Sequence, residues 1–248
     1  GLQAASNKTI ALVGGDIIFD RGYLTTVGGQ IEIGSIDKNS FVSLIPTKQG
    51  WTFGYEKVES FRDIQLSNQS VVDASGLSGG IKLHSKNVKL TDNSTIANAT
   101  LGQKDGGTLE INASNSLELV NGYLLNQVGK DVDGDQVADF PSQGNGGDLK
   151  IFTKALAIKN GGLISSGTIS EGNAGNLIIN ASGSVEVSGS NSILTTATQD
   201  TGKGGEIQIN TKNLIVKDGG RIEAATLGIG EGGSIKINAS ESVEFAGW

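Results

Sequence analysis

The chain has 248 residues, 36% of them hydrophobic, with 38 glycines, two prolines and no cysteine. That composition excludes a disulfide framework and thiol chemistry, and the glycines lack the strict third-residue period of collagen. The net charge of −7 argues against nucleic acid or an anionic membrane as partner, and no run reaches the length of a membrane-inserting helix.

The chain begins GLQAASNKTI, without an initiator methionine or a signal-like apolar stretch, and reads as a fragment or mature product of something longer. Residues 1–75 are the least regular part. GGDIIFD at Gly14 and GGQIEIGSI at Gly28 resemble shortened versions of a motif that recurs later. Residues 41–65, FVSLIPTKQGWTFGYEKVESFRDIQ, break the pattern and hold five of the twelve aromatics. They predict a hairpin or excursion packed on a flank, with Phe41, Phe53 and Phe61 covering an apolar face. The functional alternative is an aromatic platform for a ligand.

From Gly76 onward the sequence is a repeat, and the repeat controls the reading. Small-residue pairs open successive units at Gly79, Gly106, Gly146, Ala174, Gly204 and Gly232, spaced 27, 40, 28, 30 and 28 residues apart. Each unit carries a first apolar–x–apolar triplet, as at Ile81, Leu109, Leu149, Leu177, Ile207 and Ile235. A second triplet follows at Val88, Leu117, Leu156, Val185, Leu214 and Val243. A third, less regular segment ends at Thr100, Thr168, Thr198 and Thr226. Such triplets are too short for helices, their β-branched content favours strands, and Gly and Asn/Asp clusters supply the corners.

Three short strands per coil, with about 28 residues per coil, describe an all-β parallel solenoid spanning residues 1–248 as one domain. One coil has few large inward aliphatics (Ile207, Ile209, Leu214, Val216 and Ile222 between Gly204 and Glu231), too few to offset the ordering of its own backbone. Stacked neighbours must complete it. About eight coils at roughly 4.8 Å each give a rod near 40 Å long. Asn112, Asn180, Asn210 and Asn238 share the corner after the first strand, where stacked amides hydrogen-bond from coil to coil. His84, the one histidine, occupies the same column and is read as structural.

The stretch DVDGDQVADF lies in an insertion at 129–145, within the long 40-residue spacing. Asp131, Asp133, Asp135 and Asp139 stand at positions 1, 3, 5 and 9 of a calcium-type loop, where alternating carboxylates present oxygens to one centre. Gln136 replaces the glycine and Ser142 the glutamate of an EF-hand, so a modest Ca2+ affinity is expected, against a plain solvated loop. No nearby His or Cys supports a transition metal.

Other motifs carry less. GLSGG at Gly76–Gly80 matches the nucleophile pattern around Ser78, but no helix follows it. GIGEGG at Gly228–Gly233 matches a dinucleotide fingerprint and precedes a strand. Glu118 and Glu186 fall at a separation open to a glycosidase pair, yet nothing marks a cleft, and solvated ion-pair ladders account for the outward charges. The NAS sequons at Asn112, Asn180 and Asn238 are explained by the amide column.

The units GGTLEINASNSLELVNG, AGNLIINASGSVEVSGS and GGSIKINASESVEFAG resemble the repeats of filamentous-haemagglutinin-type proteins, as does IALVGGDIIFDRGYLTTVGGQIEIGSI followed by QLSNQSVVDASG. These are the TpsA exoproteins of two-partner secretion, and the flavour is that of the cyanobacterial type. The resemblance implies a right-handed parallel β-helix, export through an outer-membrane TpsB-type transporter, and non-enzymatic surface roles in adhesion, filament or matrix formation. A glycan or protein receptor and end-to-end self-association would follow. The alternatives are a carbohydrate-active β-helix lyase or hydrolase and a purely structural filament subunit. The NPNG-type motifs of the family's secretion domain are absent, so the expectation is a stem that follows that domain. Trp248 ends the chain where another strand should pair, an edge that is either cut or covered by a partner.

Overall fold

The alternation of apolar and polar residues becomes two parallel sheets in the computed structural model, which describes residues 1–47, 50–130 and 138–247. Among the described residues there is no helix; one sheet has ten strands, the other eight, and a separate antiparallel pair forms a hairpin. Strand order follows the chain, each strand pairing with its counterpart in the next coil, which makes the architecture a parallel β-solenoid. Ile81 pairs with Leu109, and the column continues through Leu149, Leu177, Ile207 and Ile235, offsets of 28, 40, 28, 30 and 28 residues.

The two regular segments of each repeat form one long strand, such as Leu109–Val120 or Leu177–Ser188, where two separate strands are expected from the sequence. The corner between them persists as a register shift, between Ala113 and Ser116 in the first case. Every coil bends at the same place, so pairing resumes at once on the far side. The third segment is a three-residue strand, such as Thr95–Ala97 or Ile193–Thr195, in the smaller sheet. Isolated bridges link Gly76, Thr100, Val128, Thr168, Thr198 and Thr226 beyond it.

Inward residues stack into apolar columns. Ile33, Leu83, Ile111, Ile151, Ile179 and Ile209 are in register and 0% exposed. One core cluster runs from Ile10 to Val216. The repeated glycines mark where coils touch: a Cβ at Gly175 would lie 1.9 Å from the Gly147 carbonyl oxygen, and one at Gly205 2.0 Å from that of Gly175. Another corner needs left-handed backbone, which Asn and Asp tolerate best among residues with side chains. Asn93, Asn121, Asn160, Asn191 and Asp218 supply it, with φ between 50° and 63°.

Candidate functional site

The departure from the repeat at 41–65 builds an antiparallel ribbon onto the shaft. Ser43–Thr47 and Gly50–Gly54 pair antiparallel. Glu32, on strand Gln30–Ser35, is only 4% exposed because this ribbon covers it. The Phe53 N–H donates to its Oε1 at 2.9 Å and the Thr52 hydroxyl to its Oε2 at 2.8 Å. Burial pushes the Glu32 carboxyl up, against the opposing hydrogen bonds from Phe53 and Thr52. Tyr55 then stacks on His84, ring centroids 4.0 Å apart at 23°. Gly34 is in register with His84, and a Cβ there would meet the Tyr55 hydroxyl, so its bare backbone makes room for the ring.

His84 is therefore a docking surface for the excursion. Burial, with Lys82 nearby, lowers its pKa to about 4. Among the described residues, neither its Nε2 nor the Tyr55 hydroxyl has a hydrogen-bond partner. Burial and the Glu32 charge both push the Tyr55 phenol up. Among the described residues Ser78 makes no hydrogen bond to this imidazole, and the segment after it enters strand Gly80–Thr91. Gly228–Gly233 likewise leads into strand Ser234–Ala246.

Phe53 and Phe61 are half-buried around Tyr55, as the sequence predicts, but Phe41 is 76% exposed. A ribbon has two faces, and alternate residues point to opposite sides. Thr52 takes the shaft side through Glu32, so Leu44 and Trp51 look outward, exposed by 60% and 55%. Phe41 precedes the ribbon and covers nothing.

The return of the excursion is pinned by Arg62, which donates to Asp16 at 2.8 Å and to Asp37 at 3.4 Å. An open cavity of about 620 Å³ lies here, lined by Asp16, Asp37, Glu59, Arg62, Asp63 and Lys86 among others. The Arg62 hydrogen bond holds the Asp16 carboxyl below its ordinary range. The Lys38 N–H, then Ser60 and Arg62, do the same for Asp37. Both are fixed as anions and neither is a proton donor.

The second acidic pair is also accounted for. Glu118 and Glu186 stand two strands apart, with Ala157 between them in the ladder. The Lys159 ammonium lies 3.8 Å from one and 3.9 Å from the other, while Lys89 pairs with Glu118 at 3.1 Å and Lys217 with Glu186 at 3.2 Å. Burial works to raise the Glu186 carboxyl, but hydrogen bonds from Ser188 and Lys217 and the flanking lysine charges hold it low. A glycosidase acid needs the opposite shift.

The asparagine column is present in part. Asn210 donates to Asn180 at 3.0 Å and Asn238 to Asn210 at 2.8 Å. Phe152 interrupts it between Asn112 and Asn180, and Asn112 donates instead to Glu110 at 2.7 Å. Additional ladders, invisible in the strand pattern, join Asp105, Asn145 and Asn173 and, separately, Asn98 and Asn126.

Asp131, Asp133 and Asp135 lie outside the described residues, and Asp139 stands at the edge of what is described. The base of that insertion is closed by two backbone hydrogen bonds between Lys130 and Phe140, and Lys130 Nζ pairs with Asp73 at 3.2 Å. Among the described residues no three His, Cys, Asp or Glu side chains gather in a metal-sized group. Among them, too, no helix is long and apolar enough to cross a membrane.

Glu32, Tyr55 and Phe152 escape sequence reasoning. The available signal was Gly34, a gap in an otherwise outward-facing column, and Phe152, an aromatic where the other repeats place asparagine or histidine.

No curated protein and no solved structure matches the chain. Residues 1–83 match the family model of the TPS secretion domain. This overturns the expectation that the chain lies wholly beyond that domain: a recognisable secretion-domain segment is present although its NPNG-type motifs are absent. The match covers the excursion and ends inside strand Gly80–Thr91, which pairs with the next coil's strand Leu109–Val120. With a secretion-domain segment leading without a break into a parallel β-solenoid, the chain is consistent with a TpsA-type exoprotein of two-partner secretion.

Proposed function

We propose that this chain is the secretion-proximal part of a non-enzymatic surface stem, of the type found in cyanobacteria, that acts in adhesion or in building a surface filament or matrix. The secretion-domain match at residues 1–83 carries the reading, because it implies export through a TpsB-type outer-membrane transporter. The paired carboxylates support the non-enzymatic part: Asp16, Asp37 and Glu186 are all held as anions by donors around them. The stem would meet a cell-surface or matrix glycan or protein, and the reading includes end-to-end association with a second copy.

We also propose Ca2+ in the insertion, held by Asp131, Asp133, Asp135 and Asp139. The alternation of the acids and the pinched base at Lys130 and Phe140 support it.

The deciding experiment uses native cells carrying the gene with and without the codons for residues 1–83, together with a strain lacking the cognate TpsB-type transporter. An antibody to residues 149–246 is applied to intact cells and to the medium. Surface label in the wild type, lost in both altered strains, is expected. Undiminished export without the transporter would refute the secretion assignment, and release into the medium with bare cells would refute the surface role.

A further inference from the structure

On the flank just beyond the excursion, the solenoid surface has an aromatic-walled slot. The register column through it reads Gly34, His84, Asn112, Phe152, Asn180. The first wall is the aromatic group over His84, with the Phe61 ring 6.2 Å from the imidazole. The second wall is Phe152, a large apolar side chain 39% exposed on a solvated face. Asn112 lies between them as the floor, and the cavity holds about 290 Å³.

The dimensions follow from the ladder. His84 and Phe152 are two strands apart, about 9.6 Å at the usual strand spacing. Subtracting one van der Waals contact of about 3.5–4 Å leaves a gap of roughly 6 Å. That admits a single saturated ring over Asn112 and is too narrow for two.

The chemistry of the slot is unusual for this shaft. An amide at position 152 would continue the column from Asn112 to Asn180, as it does between Asn180, Asn210 and Asn238. Phenylalanine breaks that column and leaves the Asn112 amide with capacity to spare. One Asn112 N–H goes to Glu110 at 2.7 Å, and among the described residues no other hydrogen bond takes up its second N–H or its Oδ1, while the residue lines the slot. No carboxylate lines the cavity, in contrast to the neighbouring cavity around Arg62. Lys154 stands on its rim, and Ser114 and Ser182 add hydroxyls.

We propose that this slot binds one pyranose residue of a glycan, with the carbon faces of the ring against the His84–Phe61 wall and Phe152 and two adjacent hydroxyls on the Asn112 amide. An amide offering one donor and one acceptor matches a vicinal diol, and aromatic faces match the C–H surface of a sugar ring. His84 is neutral near pH 7, so Lys154 is the one ionised side chain in the slot, which favours neutral or uronic sugars over cationic ones. This gives the adhesion reading a ligand class and rests on that reading. The binding assay below uses purified protein and no transporter, so it fails or succeeds independently of the secretion test.

The test titrates tetrasaccharides of glucose, galactose and glucuronate, and a proline-rich and a tyrosine-rich peptide, into the purified chain by calorimetry and ligand-observed NMR. Two variants accompany it, Asn112→Ala and Phe152→Asn. The second restores an amide to the column, so it is expected to melt no lower than wild type. At least one tetrasaccharide is expected to bind, with affinity falling about tenfold in Phe152→Asn and in Asn112→Ala. No saccharide binding at 10-millimolar order, or binding unchanged in Phe152→Asn, overturns the proposal. Phe152-dependent binding of a peptide in place of every saccharide overturns the ligand class.

Discussion

Gly205→Ala tests whether the repeated glycines are where the coils touch. The added Cβ would sit 2.0 Å from the Gly175 carbonyl oxygen, and about 3.0 Å is the closest that Cβ atoms come to other atoms. Both partners are backbone, so the two coils must part locally by about 1 Å. Three hydrogen bonds cross that contact. The Ala174 N–H donates to the Lys203 carbonyl at 2.8 Å, the Lys203 N–H to Asn173 Oδ1 at 2.9 Å, and the Glu206 N–H to Asn176 Oδ1 at 3.0 Å. Lengthened by an ångström, all three would exceed the limit for a useful bond, at about 3.8–4 Å. At roughly 0.5–1.5 kcal/mol net apiece, their loss amounts to about 1.5–4.5 kcal/mol. Urea unfolding followed by circular dichroism measures it. The control is Gly14→Ala, where nothing lies within 4 Å of the new Cβ and stability should hold or rise slightly. A Gly205→Ala protein within about 0.5 kcal/mol of wild type would refute the argument, since surface changes without a mechanism fall in that range.

Glu32→Ala leaves the Phe53 N–H and the Thr52 hydroxyl without their acceptor, so the ribbon should lift while the solenoid stays folded. Trypsin cleavage at exposed Lys57 is expected to rise about tenfold, the effect of roughly 1.4 kcal/mol of local opening, with little change in melting temperature. Equal cleavage rates would show that the ribbon is held elsewhere. His84 makes stability depend on pH, and its folded pKa of about 4 sets the sign. The unfolded chain takes up the proton first, so the imidazole's stabilisation is complete above about pH 6.5 and is lost as pH falls towards 4. Solvent reaches this half-buried ring, so the loss is on the order of 1 kcal/mol after allowing for screening. Glu32, raised by burial, works the opposite way, its ionised form costing the folded state above the ordinary glutamate range. The difference between wild type and His84→Asn isolates the imidazole: melting temperature should fall further in wild type across that window, and parallel curves would contradict it. For the insertion, EDTA is expected to lower the melting temperature and added calcium to restore it, with both responses absent in Asp133→Asn/Asp135→Asn. An EDTA-insensitive wild type removes the metal.

The shaft was legible because its physics is periodic. Apolar triplets at fixed offsets set which side chains stack, and the glycine pairs set where backbones approach. The insertion was legible for the same reason, as a spacing of 40 among spacings near 28. The excursion at 41–65 was legible as a break in the repeat, but its docking was not, because that depends on a contact between Tyr55 and His84 that no periodicity encodes. Phe41 illustrates the limit: its hydrophobicity suggested burial, but it stands just before the ribbon Ser43–Thr47 and Gly50–Gly54 and is left 76% exposed. The merging of the first two segments into one strand was likewise hidden, because a corner that bends and a corner that breaks share the same Asn and Ser residues.

The strand pairing between Leu109 and Leu149 keeps the common register although the chain between them is a dozen residues longer than elsewhere. The surplus leaves and re-enters at Lys130 and Phe140, whose paired backbone groups seal the opening, so the ladder above and below is undisturbed. Axial length in this molecule is thus set by the number of coils and is indifferent to the number of residues in them. A lineage of such proteins could graft decorations of any size at this corner while the spacing between fixed points along the shaft stays constant. The rod works as a ruler whose markings survive changes in what hangs from it.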